Sequence, residues 1–138
     1  MKYLGLDLGE VSLGMARSDS GVIAMSVGTY TFRRENYSDA IAYITNYINE
    51  EKIDVVVLGL PKHMHNEIGE KAELSIWFKQ EILKHAQCEV VLWDERLSTK
   101  QATYTLKQAG LSKEKRKAKK DELSAQLILQ NYLDYKLR

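Results

Sequence analysis

The stretch "IDVVVLGLP", residues 53–61, carries one carboxylate near its start and no charged or hydrogen-bonding side chain after it. Ile53, Val55, Val56 and Val57 are β-branched, and Leu58 and Leu60 continue the run. Side chains alternate along a strand, so both faces of this one are apolar. Such a strand has to be covered on both sides, as happens inside a parallel sheet packed between helices. The run is far too short to cross a bilayer. It predicts a buried strand near the middle of a sheet, and it obliges the rest of the chain to supply helices to both faces.

The remaining sequence offers those parts. Residues 2–8, 12–19 and 22–32 read as three strands with turn residues between them, including "SDSG" at 18–21. Short connections of this kind predict an antiparallel meander. Residues 37–51 change period: Ile41, Ile44 and Ile48 recur at helical spacing, with Asn36 or Ser38 as a starting cap. A second helix is expected over 67–86, through Ala72, Ile76, Phe78, Ile82 and Leu83, followed by the strand "CEVVLWDE" at 88–95. A third helix, 98–110, has Ser98 or Thr99 as its cap and Gly110 as its stop. A fourth covers 121–135 through Leu123, Leu127, Ile128 and Leu133. The order β-β-β-α-β-α-β-α-α predicts an α/β fold with a mixed five-stranded sheet flanked by helices. At 138 residues, with one proline and no linker, the chain reads as a single domain, 1–138.

Charge is balanced overall at +1 but concentrated locally. "KEKRKAKK", 113–120, holds six basic residues and one acid, and reads as a solvated, phosphate-seeking loop. The single cysteine, Cys88, cannot form an internal disulfide and reads as a small buried strand residue, which suits a reducing compartment. Asp7 and Glu10 interrupt the N-terminal apolar run, so no export signal is expected and the predicted location is the cytoplasm.

The acids carry the chemistry. Asp7 lies within "LGLDLGEVSLG", near the carboxyl end of the first strand, where an unpaired buried carboxylate would cost several kcal/mol. A salt bridge to Arg17 would be the plain structural explanation. The crevice past the carboxyl ends of parallel strands is where open α/β sheets bind ligands. "WDERLST", 93–99, brings Asp94 and Glu95 to the same edge, and alternation allows only one of them to face Asp7. Asp121 is a third candidate, with a helix N-cap as its bland alternative. Converging carboxylates repel unless a cation lies between them, and hard oxygen donors suit Mg²⁺ or Mn²⁺. Two such ions can clamp an in-line displacement at phosphorus.

The segments "LGLDLG…LGMARSD", "VVLGLP", "VVLWDERLST" and "KKDELSAQLILQNYLD" resemble, in order and over nearly the whole length, the bacterial YqgF family. Its members are described as Holliday-junction-resolvase-like proteins and as candidate pre-16S rRNA nucleases. The resemblance implies a ribonuclease-H-like fold with sheet order 3-2-1-4-5 and metal-dependent cleavage of phosphodiesters. Carried over by motif, it places the acidic triad, both catalytic and metal-holding, on Asp7, Glu95 and Asp121. Lys62, Arg96 and Lys100, with Lys115, Arg116, Lys117, Lys119 and Lys120, are expected to hold the nucleic-acid backbone. The expected partners are structured RNA such as pre-rRNA, or branched DNA, with the protein a monomer or a homodimer and no membrane involved. The pattern departs from the family at Glu10 and Val11, where Thr or Asn and then a basic residue are usual, and at His63–Asn66 after the Gly-Leu-Pro, where His63 and His65 read as exposed loop histidines, with substrate contact or a transition-metal pair as the sharper alternatives. The alternatives are a Holliday-junction resolvase acting in DNA recombination, or a non-catalytic nucleic-acid-binding module, which an extra carboxylate at Glu10 would favour.

Overall fold

The computed structural model describes residues 1–60, 69–94, 108–110 and 112–137, without the side chains of residues 70, 71 and 113–118. Five strands run β1 (Tyr3–Leu8), β2 (Ser12–Ser18), β3 (Met25–Thr31), β4 (Val55–Leu60) and β5 (Glu89–Asp94). Among the described residues, helices α1 (Tyr37–Glu51), α2 (Glu70–His85) and α3 (Lys113–Lys136) accompany them. The sheet order is β3-β2-β1-β4-β5. β1, β2 and β3 form the expected antiparallel meander, and β4 and β5 join parallel to β1. Most of the third predicted helix, 98–107, lies outside the described residues.

β4 behaves as its composition demands. Val56 and Leu58 enter a core with Leu4, Leu6, Leu13 and Met15, closed by Ile41, Ile44 and Ile48 of α1 and by Phe78 and Ile82 of α2. Val55 and Val57 point the other way, into a second core with Tyr3, Ala16 and the α3 residues Ala125, Ile128, Leu129, Tyr132 and Leu133. Each fully buried side chain of this kind contributes roughly 1.5–3 kcal/mol relative to exposure, so the two cores are what hold helices on both faces. Leu83, expected among the core positions of α2, is exposed instead. Cys88 lies just before β5, half-buried against the first core, and burial raises its thiol pKa.

Two local expectations change. Asn36 occupies the start of α1 but its side chain makes no capping bond. More consequentially, the basic run 113–120 is not a loop: it forms the first two turns of the 24-residue α3. Lys, Arg, Glu and Ala are strong helix formers, and that intrinsic preference, extended from the packed half of the helix, prevails over charge repulsion. Asp121 therefore lies within a helix and is not an N-cap.

Candidate active site

Asp7 is the fifth residue of β1 and pairs across the ladder with Gly14 of β2. Tyr3, Gly5 and Asp7 share one face of β1, and it is the face covered by α3: a Cβ added to Gly5 would strike Leu129 and the carbonyl of Ala125. Gly14 makes the corresponding notch on β2. A Cβ there would lie 3.0 Å from the Asp121 Cβ and closer still to that residue's carbonyl group. Residues directly opposite on an antiparallel pair have Cβ positions about 4.5–5.5 Å apart, so the Cβ atoms of Asp7 and Asp121 are within roughly 9 Å. Two aspartates at that separation can reach toward one cation. The Asp121 carboxylate is fixed by the Ser12 hydroxyl, which donates to its Oδ2 from the start of β2. Asp7 and Asp121 are both half-buried.

Arg17 does not neutralise Asp7. It pairs in register with Leu4, toward the opposite end of β1, and its guanidinium donates to Asp19 at 2.7 Å and to Glu51 at 2.6 Å. Those carboxylates and Tyr47 raise the Arg17 pKa, and Arg17 in turn holds Asp19 below the usual carboxylate range.

The parallel strands end level with Asp7. Leu6 aligns with Leu58 and Leu60 with Asp94, so the last residues of β1, β4 and β5 form one edge. Trp93 packs edge-on against Tyr132 of α3, with ring centroids 5.4 Å apart, and so lies on the Asp7 face. Alternation then turns Asp94 to the opposite face, with Val90 and Leu92. Glu95, Arg96, Lys62, Lys100, His63 and His65 lie outside the described residues. Of the basic residues in α3, Lys119 is exposed and Lys120 half-buried, directly before Asp121.

Among the described residues, no group of three His, Cys, Asp or Glu side chains is arranged to hold a metal. The donors that do gather are hard oxygens: the Asp7 and Asp121 carboxylates and the Ser12 hydroxyl. The Ser124 hydroxyl, one turn further along α3, is buried without a hydrogen-bond partner. This is the donor chemistry of Mg²⁺ or Mn²⁺. Sequence reasoning misses Ser12 and reads Gly5 and Gly14 as room for a phosphate backbone; the space beside them is filled by α3, and small residues at every second position of β2 (Ser12, Gly14, Ala16), with Gly5 beside them, mark a channel for that closely seated helix. A surface groove of about 440 Å³, lined by Ser38, Thr45, Trp77, Glu81 and His85 among others, lies between α1 and α2 on the opposite face.

The geometry can be set beside known proteins. The family described as RuvX, Holliday junction resolvase, matches residues 1–135. The chain belongs to this family. It is thereby a nuclease, and the resemblance read from its motifs is borne out. A RuvX-family relative from Aster yellows witches'-broom phytoplasma, named "Putative pre-16S rRNA nuclease", is 48% identical over 133 residues, covering 96% of this chain and 88% of its own. A relative of the same name from Staphylococcus aureus strain JH9 is 41% identical over 135 residues, covering 96% and 95%. Among solved structures, Thermus thermophilus RuvC in complex with a Holliday junction substrate superposes with a TM-score of 0.63 at 15% identity, over 99% of this chain and 96% of that one. That likeness establishes the fold, and the RuvX-family sheet has the expected 3-2-1-4-5 order.

Proposed function

We propose that this chain, working as a single domain in the cytoplasm, is a divalent-metal-dependent nuclease that trims pre-16S rRNA at its 5′ end. The observation that carries this reading is the notch at Gly14, which lets α3 stand Asp121 over the ladder partner of Asp7, with Ser12 holding its carboxylate. Glu95 is the third acid of the proposal. The turning of Asp94 to the opposite face supports it, since only one of the two can face Asp7. Asp7, Glu95 and Asp121 would hold Mg²⁺ or Mn²⁺, which when bound lowers the pKa of water and offsets charge developing at phosphorus. The acids accept hydrogen bonds from the attacking water and so orient it, while the phosphate, itself an anion, is held by basic side chains. Lys115, Arg116, Lys117, Lys119 and Lys120 lead straight into Asp121 on one helix, so they hold the backbone beside the cleavage point. Lys62, Arg96 and Lys100 complete that contact in this reading.

The names of the curated relatives favour the RNA substrate. The family description and the junction bound by RuvC keep branched DNA as the second reading. Cutting a four-way junction symmetrically needs two sites related by a dimer axis. Purified protein is to be assayed with Mg²⁺ and with Mn²⁺ on a pre-16S 5′-leader RNA and on a four-way DNA junction, side by side, with its mass read by light scattering. Cleavage of the RNA by a monomer is expected, with Asp7→Asn folded but inactive. Full activity in Asp7→Asn would overturn the site; a dimer that cuts only the junction would replace the substrate. A purely binding module is disfavoured because the chain belongs to a nuclease family.

A further inference from the structure

The β1–β2 turn, Gly9 to Val11, borders the acidic site and carries a carboxylate where a polyanion must approach. The structure shows what that carboxylate does. Glu10 accepts a hydrogen bond from the Arg34 guanidinium, and the backbone around the pair is stitched together. Phe32 N–H donates to the Val11 carbonyl at 2.9 Å, Glu35 N–H to the Glu10 carbonyl at 2.9 Å, and Asn36 N–H to the Arg33 carbonyl at 2.8 Å. Glu35 adopts φ 60°, a left-handed conformation that costs a non-glycine residue energy and persists only where the surroundings impose it. The strained turn points the Glu35 N–H at the hairpin and holds the Arg34 backbone beside it. Next to this contact, Ser12 pairs in register with Thr31 on one side and bonds Asp121 on the other.

Arg34 thus belongs to the rim of the acidic site, although it is far from Asp7 in sequence. Its side chain is 68% exposed and that of Glu10 47%, so the pair stands in water, where such pairs are weak. A phosphate diester offers the same bidentate oxygen geometry to a guanidinium as a carboxylate does. We propose that Arg34 is a phosphate-binding residue of this site, with Glu10 as the placeholder that a substrate phosphate displaces. Arg33, exposed beside it, adds positive charge to the same rim. This rests on the nuclease reading for the direction of approach: a strand laid across the carboxyl edge of the sheet from α3 passes the acids and then meets Arg34.

The test measures binding separately from turnover. A fluorescent 20-nucleotide single-stranded RNA is titrated with full-length protein in Ca²⁺ over a series of KCl concentrations, and kcat and KM are measured in parallel with Mn²⁺. Arg34→Gln should weaken RNA binding about tenfold or more, as expected for losing one charge-assisted contact. It should also flatten the salt dependence by about 0.7 in log–log slope, and its loss of kcat/KM should fall on KM. Arg34→Lys should recover part of the binding, and Glu10→Gln should tighten it. Lys84→Gln, the same change of charge on α2, controls for net charge and should leave binding unchanged. The backbone bonds between the two turns survive all these changes, so melting temperatures near that of the wild type are expected. An Arg34→Gln that binds like Lys84→Gln overturns the proposal; a Glu10→Gln that fails to bind tighter overturns the placeholder role. A wild-type protein that binds RNA through Arg34 but cleaves nothing would instead overturn the nuclease reading.

Discussion

Replacing Gly14 with Ala is the sharpest probe of how the site is assembled. The added methyl would meet the peptide carbonyl of Asp121 and, at 3.0 Å, its Cβ. The carbonyl belongs to the helix backbone and the Cβ is fixed directly to it, so neither can rotate away as the tip of a long side chain can. To restore ordinary contact, α3 must retreat locally by about 1 Å, since close packing tolerates no such overlap. Overpacking of this kind costs about 1–3 kcal/mol, or roughly 4 °C of melting temperature per kcal/mol in a domain this size. The larger effect falls on function: a 1 Å displacement of a reacting or ligating group costs on the order of 10²-fold in rate. Thermal unfolding by circular dichroism and initial cleavage rates well below the melting point separate the two. Gly28→Ala is the comparison, because a Cβ there meets nothing within 4 Å but has to adopt φ 141°. It should lose stability with little loss of activity. A Gly14→Ala protein that melts within about 2 °C of the wild type and cleaves at the wild-type rate would show that α3 does not seat Asp121 against β2, and the reasoning from the notch would fail.

Other outcomes follow from the same structure. Ser12→Ala removes the hydroxyl that fixes Asp121 and should weaken metal affinity about 10-fold or more, read by Mn²⁺ titration calorimetry, with the fold retained. Replacing Lys115, Arg116, Lys117, Lys119 and Lys120 together by Ala should weaken binding across RNA sequences and flatten its salt slope while helix content stays constant; an unchanged slope would make the run a solvated surface only. Burial raises the Cys88 thiol pKa, so at any given pH less of it is thiolate than in a free cysteine. Alkylation should be slow at pH 8 and accelerate only as pH rises past the ordinary thiol range; a free-cysteine rate at pH 8 would contradict that burial.

The doubly apolar run in β4 made the sheet and its two helical layers legible, because nothing else satisfies a strand with no polar face. Ile41, Ile44 and Ile48 were legible for a similar reason, since their period admits one geometry. What stayed hidden depended on partners distant in the chain. The basic run looks like a solvated loop until the packed half of α3 extends into it, and Asp121 looks like a cap until the helix is seen to begin earlier. Glu10 reads as an intruder in a glycine turn until Arg34 is found beside it. Alternation alone leaves Asp94 and Glu95 open, and the choice of Glu95 comes from the resemblance; that Asp94 turns to the opposite face shows only in a tertiary contact, that of Trp93 with Tyr132. Ser12 and Gly14 carried a faint signal in their alternation of small side chains, but its meaning required the helix that fills the channel.

α3 packs against all five strands, yet it follows every one of them in the chain. On the ribosome, Asp7 is therefore made long before Asp121, and the sheet face bearing Tyr3, Ala16, Val55 and Val57 waits uncovered until the final helix emerges. A growing polypeptide of this kind holds Asp7 of the proposed site without Asp121, and α1 and α2 without the helix that covers the second face. Under the proposed site, hydrolytic power would arrive with the same docking event that closes the fold, and incomplete copies would be disarmed by construction.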